Sequence, residues 1–259
     1  MRLWETASLV FFVYVAAAAV APGRPRVRRL APLLAGTTAG FLFVLVVSRA
    51  PYLPALHDWI APPIALLLGY WTSGLLFDAP RPHQERLLIA IDDRLAVLDI
   101  ARRLPKVAAA LLEIAYAGVY PIIPIALVLH LWLVPAADPE HFWTVILLTD
   151  YICFAFLAWV QTRPPRALEA ADPWHSPMRR FNLRLLGAAS IQANTFPSGH
   201  AAEALAAALL VIGAPVPLVA AMFSAALAIS AGAVFGRYHY AADALAGWAV
   251  ALAVWVALA

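Results

Sequence analysis

Residues 197–259 read PSGHAAEALAAALLVIGAPVPLVAAMFSAALAISAGAVFGRYHYAADALAGWAVALAVWVALA, and this stretch decides the fold. Three apolar runs, 199–213, 215–235 and 241–259, are separated only by short turns. About 20 helical residues cross a hydrocarbon core of roughly 30 Å, so such runs read as membrane segments. The polar residues are concentrated at their ends. Pro197-Ser198-Gly199-His200 opens the first run, and Arg237-Tyr238-His239-Tyr240-Ala241-Ala242-Asp243 joins the other two.

The same pattern extends towards the N-terminus, with apolar blocks at 6–21, 31–48, 61–77, 107–134 and 142–161, eight in all. Hydrophobic residues make up 64% of the 259 positions, charged residues 13%, and the mean hydropathy is +0.80. A soluble domain carries about a quarter charged residues. The expectation is therefore an all-α, polytopic integral membrane protein. Cys153 is the single cysteine, which excludes intrachain disulfides and thiolate metal sites. Pro121 and Pro124 predict a kink in the 107–134 block, and the short 61–77 block, with Gly69, Thr72, Ser73 and Gly74, leaves a re-entrant path open. The first block ends in Ala19-Val20-Ala21 like a signal peptide. The basic cluster at 23–29 resists translocation, so an uncleaved helix is the expected reading.

Two connections stand out. In 84–104, Leu88, Ile91, Leu95 and Leu98 recur at helical spacing among charged residues, which predicts an amphipathic helix in the membrane interface. The 162–196 connection is long and basic, and is expected to cap a site or meet headgroups. With eight spans, loops 22–30, 78–106, 162–198 and 236–240 share one face, which holds sixteen of the 18 Lys and Arg residues. The positive-inside rule makes that face cytoplasmic. The expected setting is a bacterial inner (cell) membrane.

Parity also brings the two histidine motifs and Arg163 and Arg166 into one layer. Ser198 and Gly199 at a helix start offer a hydroxyl and closely approachable backbone N–H groups to an anion. His200 is placed to protonate a departing alkoxide. His239 and Asp243, four apart, share a helix face, so the carboxylate can fix the tautomer that leaves Nε2 nucleophilic. Arg237, Arg166 and Arg163 are candidate ligands for phosphoryl oxygens, their planar guanidinium groups matching such anions. Glu203, one turn past His200, is placed to tune it or to help cap the helix. Asp150 and Glu113 lie inside apolar blocks, where pairing within the bundle is expected. His57, His83, His130, His141 and His175 stand outside any motif and read as surface or interfacial residues.

Pro197-Ser198-Gly199-His200 and His239…Asp243 resemble the second and third signature motifs of the type 2 phosphatidic acid phosphatase superfamily. The resemblance runs from about residue 61 to the C-terminus, a six-helix core. It implies a 51–259 catalytic membrane domain preceded by an added helix pair in 1–50. It further implies a two-step, metal-independent and cofactor-free reaction, with His239 as nucleophile, His200 as general acid and Asp243 as orienting carboxylate. Ser198, Gly199 and the arginines would hold the phosphate. Two family positions differ: Phe156 stands where the first motif has lysine, and Ala233 where the third has arginine. Thr162-Arg163-Pro164-Pro165-Arg166 and the compact Arg237-Tyr238-His239-Tyr240 are similar instead to the inositol phosphorylceramide synthase branch. The implied activity is a lipid-phosphate phosphatase. The alternatives are a phosphotransferase passing a phospho-headgroup to an alcohol or polyol, and a non-catalytic transporter or scaffold. A lipid phosphate in the bilayer is the implied partner, and a nucleic acid is not.

Overall fold

The computed structural model describes residues 1–21, 29–50 and 52–259. Of the basic cluster expected at 23–29, all but Arg29 lies outside the described residues. Among those described the protein is helical throughout, without strands. The helices are α1 (Leu3–Ala19), α2 (Leu30–Ser48), α3 (Ala61–Gly74), α4 (Pro82–Arg94), α5 (Val97–Arg103) and α6 (Lys106–Ala117). They continue with α7 (Val119–Leu133), α8 (Pro139–Ala155), α9 (Pro177–Ala189), α10 (Gly199–Leu210), α11 (Val216–Phe235) and α12 (Ala241–Leu258).

The helix ends collect on two faces. On the upper face the 78–106, 162–198 and 236–240 loops meet. There the Arg81 N–H donates to the Gln161 carbonyl at 2.7 Å, Arg163 pairs with Glu85, and Arg237 with Asp92. On the lower face Trp143 Nε1 donates to the Asp58 carbonyl at 2.7 Å and Leu3 N–H to Glu140 Oε1 at 2.9 Å.

Among the described residues four helices are long and apolar enough to cross a bilayer, against the eight segments expected: Leu30–Ser48, Pro139–Ala158, Val216–Phe235 and Ala241–Leu258. The chain is an integral membrane protein. A fifth crossing would be α6 and α7 together, which bend by 60° at their junction. Pro121 is the cause in the chain: it has no N–H for the Ala117 carbonyl and its ring crowds that carbonyl. The shortfall elsewhere has a packing reason. α10 has only 12 residues, but α7, α8, α11 and α12 surround it, so its sides meet protein rather than lipid. Ala201, Ala202, Ala204, Ala206, Ala207 and Ala208 are wholly buried, and such small side chains let neighbouring helices approach closely. α3 is likewise short at 14 residues, prolonged by a π-helical turn at Leu56–Ile60. α1 packs into the same apolar core as α8, with Phe11 stacked on Tyr151 at 4.2 Å.

Two further expectations change. The 84–104 segment is two helices, not one, broken at Ala96 with φ of 51°. Its acidic residues Glu85 and Asp92 face inward, while Leu87, Ile91, Leu95 and Ile100 are exposed. His57 and His130 are buried rather than interfacial. The His57 ring lies between the Ala50 carbonyl and Glu5, and His130 Nδ1 is 2.6 Å from the Leu210 carbonyl.

Candidate active site

A cavity of about 460 Å³ lies between α3, α6, α7, α8 and α10. Its polar end is at the upper face, and the rest is walled by apolar side chains such as Trp59, Leu67, Ile123 and Leu127. Across the polar end stand His200 and His239, ring centroids 5.5 Å apart and planes inclined at 51°. That separation lets both rings reach one tetrahedral phosphorus.

Local chemistry fixes each ring. Ser198 caps α10, its Oγ accepting the Ala201 N–H at 3.3 Å, and its own N–H donates to the Asp243 carbonyl at 2.9 Å. The turn that presents His200 is thus bonded to the start of α12. Close contact there depends on Gly247, because a Cβ on it would lie 2.4 Å from the Ser198 carbonyl oxygen and 3.2 Å from the Ala202 nitrogen. Both obstacles are backbone atoms. Gly247→Ala should therefore part α12 from the histidine turn, costing about 1–3 kcal/mol in stability and roughly a hundredfold in turnover. Melting in detergent and the rate on any accepted substrate check this; an unaltered rate would show that the contact does not position the site.

His239 is placed by a turn after α11, in which the Tyr238 and His239 N–H groups both donate to the Ala233 carbonyl at 2.9 Å. Arg237 adopts φ of 62°, a left-handed conformation uncommon outside glycine. Its guanidinium is held by Asp92 and by Glu169 at 2.6 Å. Asp92 in turn accepts the Ala241 N–H at 2.9 Å, so one carboxylate braces both the turn and the first residue of α12. Burial nevertheless pushes Asp92 above the usual carboxylate range, against the pull of these partners. Asp243 Oδ2 accepts the Tyr240 N–H at 2.9 Å and lies 3.5 Å from His239 Nδ1. This is too long for a hydrogen bond, but it turns Nδ1 towards Asp243 and leaves Nε2 as the nitrogen free for the cavity. The His239 ring is only 6% exposed. Burial, and secondarily the Arg166 charge, bring its pKa down to about 3, so the ring is neutral at neutral pH.

The three arginines separate. Arg166 lines the cavity, half-buried, 5.5 Å above the Tyr238 ring, with its N–H donating to the Arg237 carbonyl at 3.0 Å. Arg163 is outside the wall and grips Glu85 through Nε and Nη2 at 2.9 and 2.8 Å, holding that carboxyl below its ordinary range. Arg237 is committed to its two carboxylates. Gly199 lines the cavity; Ser198, fully buried, does not.

The expected Asp150–Glu113 pairing does not form. Glu113 is the centre of a buried cluster, taking bonds from Arg179 at 3.0 Å, Trp174 at 2.9 Å, Asn182 at 2.7 Å and the Tyr238 hydroxyl at 2.7 Å. This cluster fastens α9 over the site. It also seats Tyr238, which stacks on Tyr116 at 3.9 Å, and Tyr116 stacks on His200 at 5.6 Å. Arg179 therefore neither meets headgroups nor faces water. Glu113 inside an apolar helix was the available signal, but its partners lie far along the chain. Asp150 and Glu203 instead both face the cavity below His200.

A family model described as the PAP2 superfamily matches residues 86–257, about two-thirds of the chain. No curated protein and no solved structure matches it.

Proposed function

The chain belongs to the PAP2 superfamily, and from that premise we propose that it is a membrane-embedded lipid-phosphate phosphatase working through a phosphohistidine. Membership carries phosphatase or phosphotransferase chemistry. One observation carries the finer reading: two imidazoles flank the polar end of a cavity whose other end is apolar and opens sideways. Trp59, Leu67, Trp71 and Tyr120 belong both to its wall and to the exposed flank of the bundle, Trp59 being 47% exposed. A phosphate bound at the histidines would have its hydrocarbon chain led out towards lipid.

The chemistry follows from the placement. His239 Nε2 attacks phosphorus and the bond to the lipid oxygen breaks, while His200, which burial keeps neutral in the free protein, passes to that oxygen the proton it takes from the bound phosphate monoanion. Asp243, beside Nδ1, stabilises the imidazolium charge that forms. Arg166 and the backbone N–H groups at the start of α10 face the equatorial oxygens. Water then attacks the phosphohistidine, giving its proton to His200 and releasing phosphate. A second reading, transfer to an alcohol, is favoured by the burial of the nucleophile beneath α9, since exclusion of water protects a reactive intermediate.

Purified protein in detergent, assayed with EDTA against a lipid-phosphate panel with and without added polyols, tests both readings. Phosphate release is expected without alcohol. Product that appears only as a new phosphodiester or phosphomonoester of the polyol would favour transfer. Activity abolished by chelation would overturn the metal-free reaction.

A further inference from the structure

Asp150 is wholly buried on α8, and neither of its carboxyl oxygens has a hydrogen-bond partner. It faces the cavity beside Gly199, where a built Cβ would lie 3.3 Å from Oδ1. Glu203 lines the same cavity from α10. Two ionised carboxylates only accept hydrogen bonds, so in that form they cannot satisfy each other. Among the described residues no arginine pairs with them either. Arg163, Arg179 and Arg237 are bound to other carboxylates, and Arg166 stands at the phosphate end. A buried carboxyl without a partner costs several kcal/mol, so Asp150, with a second carboxyl beside it at the same open cavity, points to a ligand that completes it.

Their depth identifies what that ligand offers. α10 runs inward from the upper face, so Glu203, three residues past His200, is about 4.5 Å further in. Asp150 lies one turn inward of Phe154 on α8, and beyond it the wall turns apolar at Trp143, Ile123 and Leu127. The carboxyl pair thus sits between the phosphorus and the hydrocarbon. We infer that Asp150 and Glu203 recognise a hydrogen-bond donor, a hydroxyl or amide N–H, positioned within a few bonds of the phosphate ester. This rests on the lipid-phosphate reading above and narrows its substrate class. A prenyl-type phosphate presents only carbon at this level and strands both carboxyls, whereas a lipid with a free hydroxyl beside its phosphate satisfies them. The same hydroxyl can come from the lipid's own backbone or from a separate alcohol lodged against it.

The test reads binding in the His239→Ala protein, so that it does not depend on turnover. Affinities are measured for 1-acyl-glycerol 3-phosphate, for its 2-deoxy analogue and for farnesyl phosphate. The hydroxyl lipid is expected to bind roughly tenfold to a hundredfold more tightly than the deoxy analogue. Adding Asp150→Leu or Glu203→Leu should reduce that ratio to near one while the deoxy lipid still binds, which a misfolded protein cannot do; Asp150→Asn should retain part of it. Glycerol that tightens binding of the deoxy lipid, and only when Asp150 is present, would assign the donor to a separate alcohol and support the subsite. Equal affinities in the His239→Ala protein, or a ratio that survives both leucine variants, would overturn it. A clear ratio combined with no turnover by the unsubstituted protein would leave the subsite standing and remove the phosphatase reading instead.

Discussion

Replacing His239 with alanine is expected to lower kcat/KM by about 10⁴-fold or more, on the scale seen when a nucleophile is removed from an active site that works as a unit. The expectation comes from two features of its surroundings. The ring is buried and neutral, so no prior deprotonation is needed at neutral pH, and Nε2 is its only nitrogen not turned towards Asp243. Rapid quenching with a ³²P-labelled substrate should trap an acid-labile phosphoenzyme in the unsubstituted protein and none in His239→Ala. His200→Ala should differ in kind. It retains the nucleophile, so a substrate with a good leaving group, such as an aryl phosphate, should still label the protein although the lipid alkoxide leaves slowly. Label persisting in His239→Ala would move the nucleophile elsewhere. Folding is checked by lipid binding, because the alanine leaves the Ala233 carbonyl bonds of the turn intact.

The sequence carried the local parts of this picture and missed the long-range ones. His200 and His239 were legible because each sits at the end of an apolar run, where membrane parity forces the ends together. Helix spacing similarly put Asp243 alongside His239, although it did not reveal that the Tyr240 N–H holds the carboxylate and keeps it 3.5 Å from Nδ1. Fewer helices reach bilayer length than the eight apolar runs of the sequence, because hydropathy does not distinguish a lipid-facing helix from one enclosed by protein. α10 is the clear case, since its alanines look like a span but face only other helices. Glu113 and Asp150 posed the reverse problem. Each was recognisable as an ion in an apolar helix, but pairing is a property of three-dimensional placement. Glu113 found Arg179, Asn182, Trp174 and Tyr238 from two other parts of the chain, and Asp150 found a cavity.

The arginines show the same limit and yield the second large effect. By type and position, Arg163, Arg166 and Arg237 were equivalent candidates, and only their partners separate them. Arg166→Ala is expected to reduce kcat/KM by about 10³-fold, within the range for an arginine that stabilises a transferring phosphoryl group. Its guanidinium lines the cavity and lies over the Tyr238 ring, with no carboxylate bonded to it to compete with the substrate. Arg163→Ala removes a pair with Glu85 that is partly open to solvent and weakened by it, so activity should stay within about threefold. Arg166→Lys adds a discriminating arm. Lysine keeps the charge but not the planar fork, so it should recover ground-state affinity more than kcat if the oxygens are gripped by paired donors. Steady-state kinetics on the three variants with one lipid phosphate decide the matter. Equal losses for Arg163→Ala and Arg166→Ala would mean that Arg163 leaves Glu85 to bind phosphate, and the division of labour among the arginines would have to be redrawn.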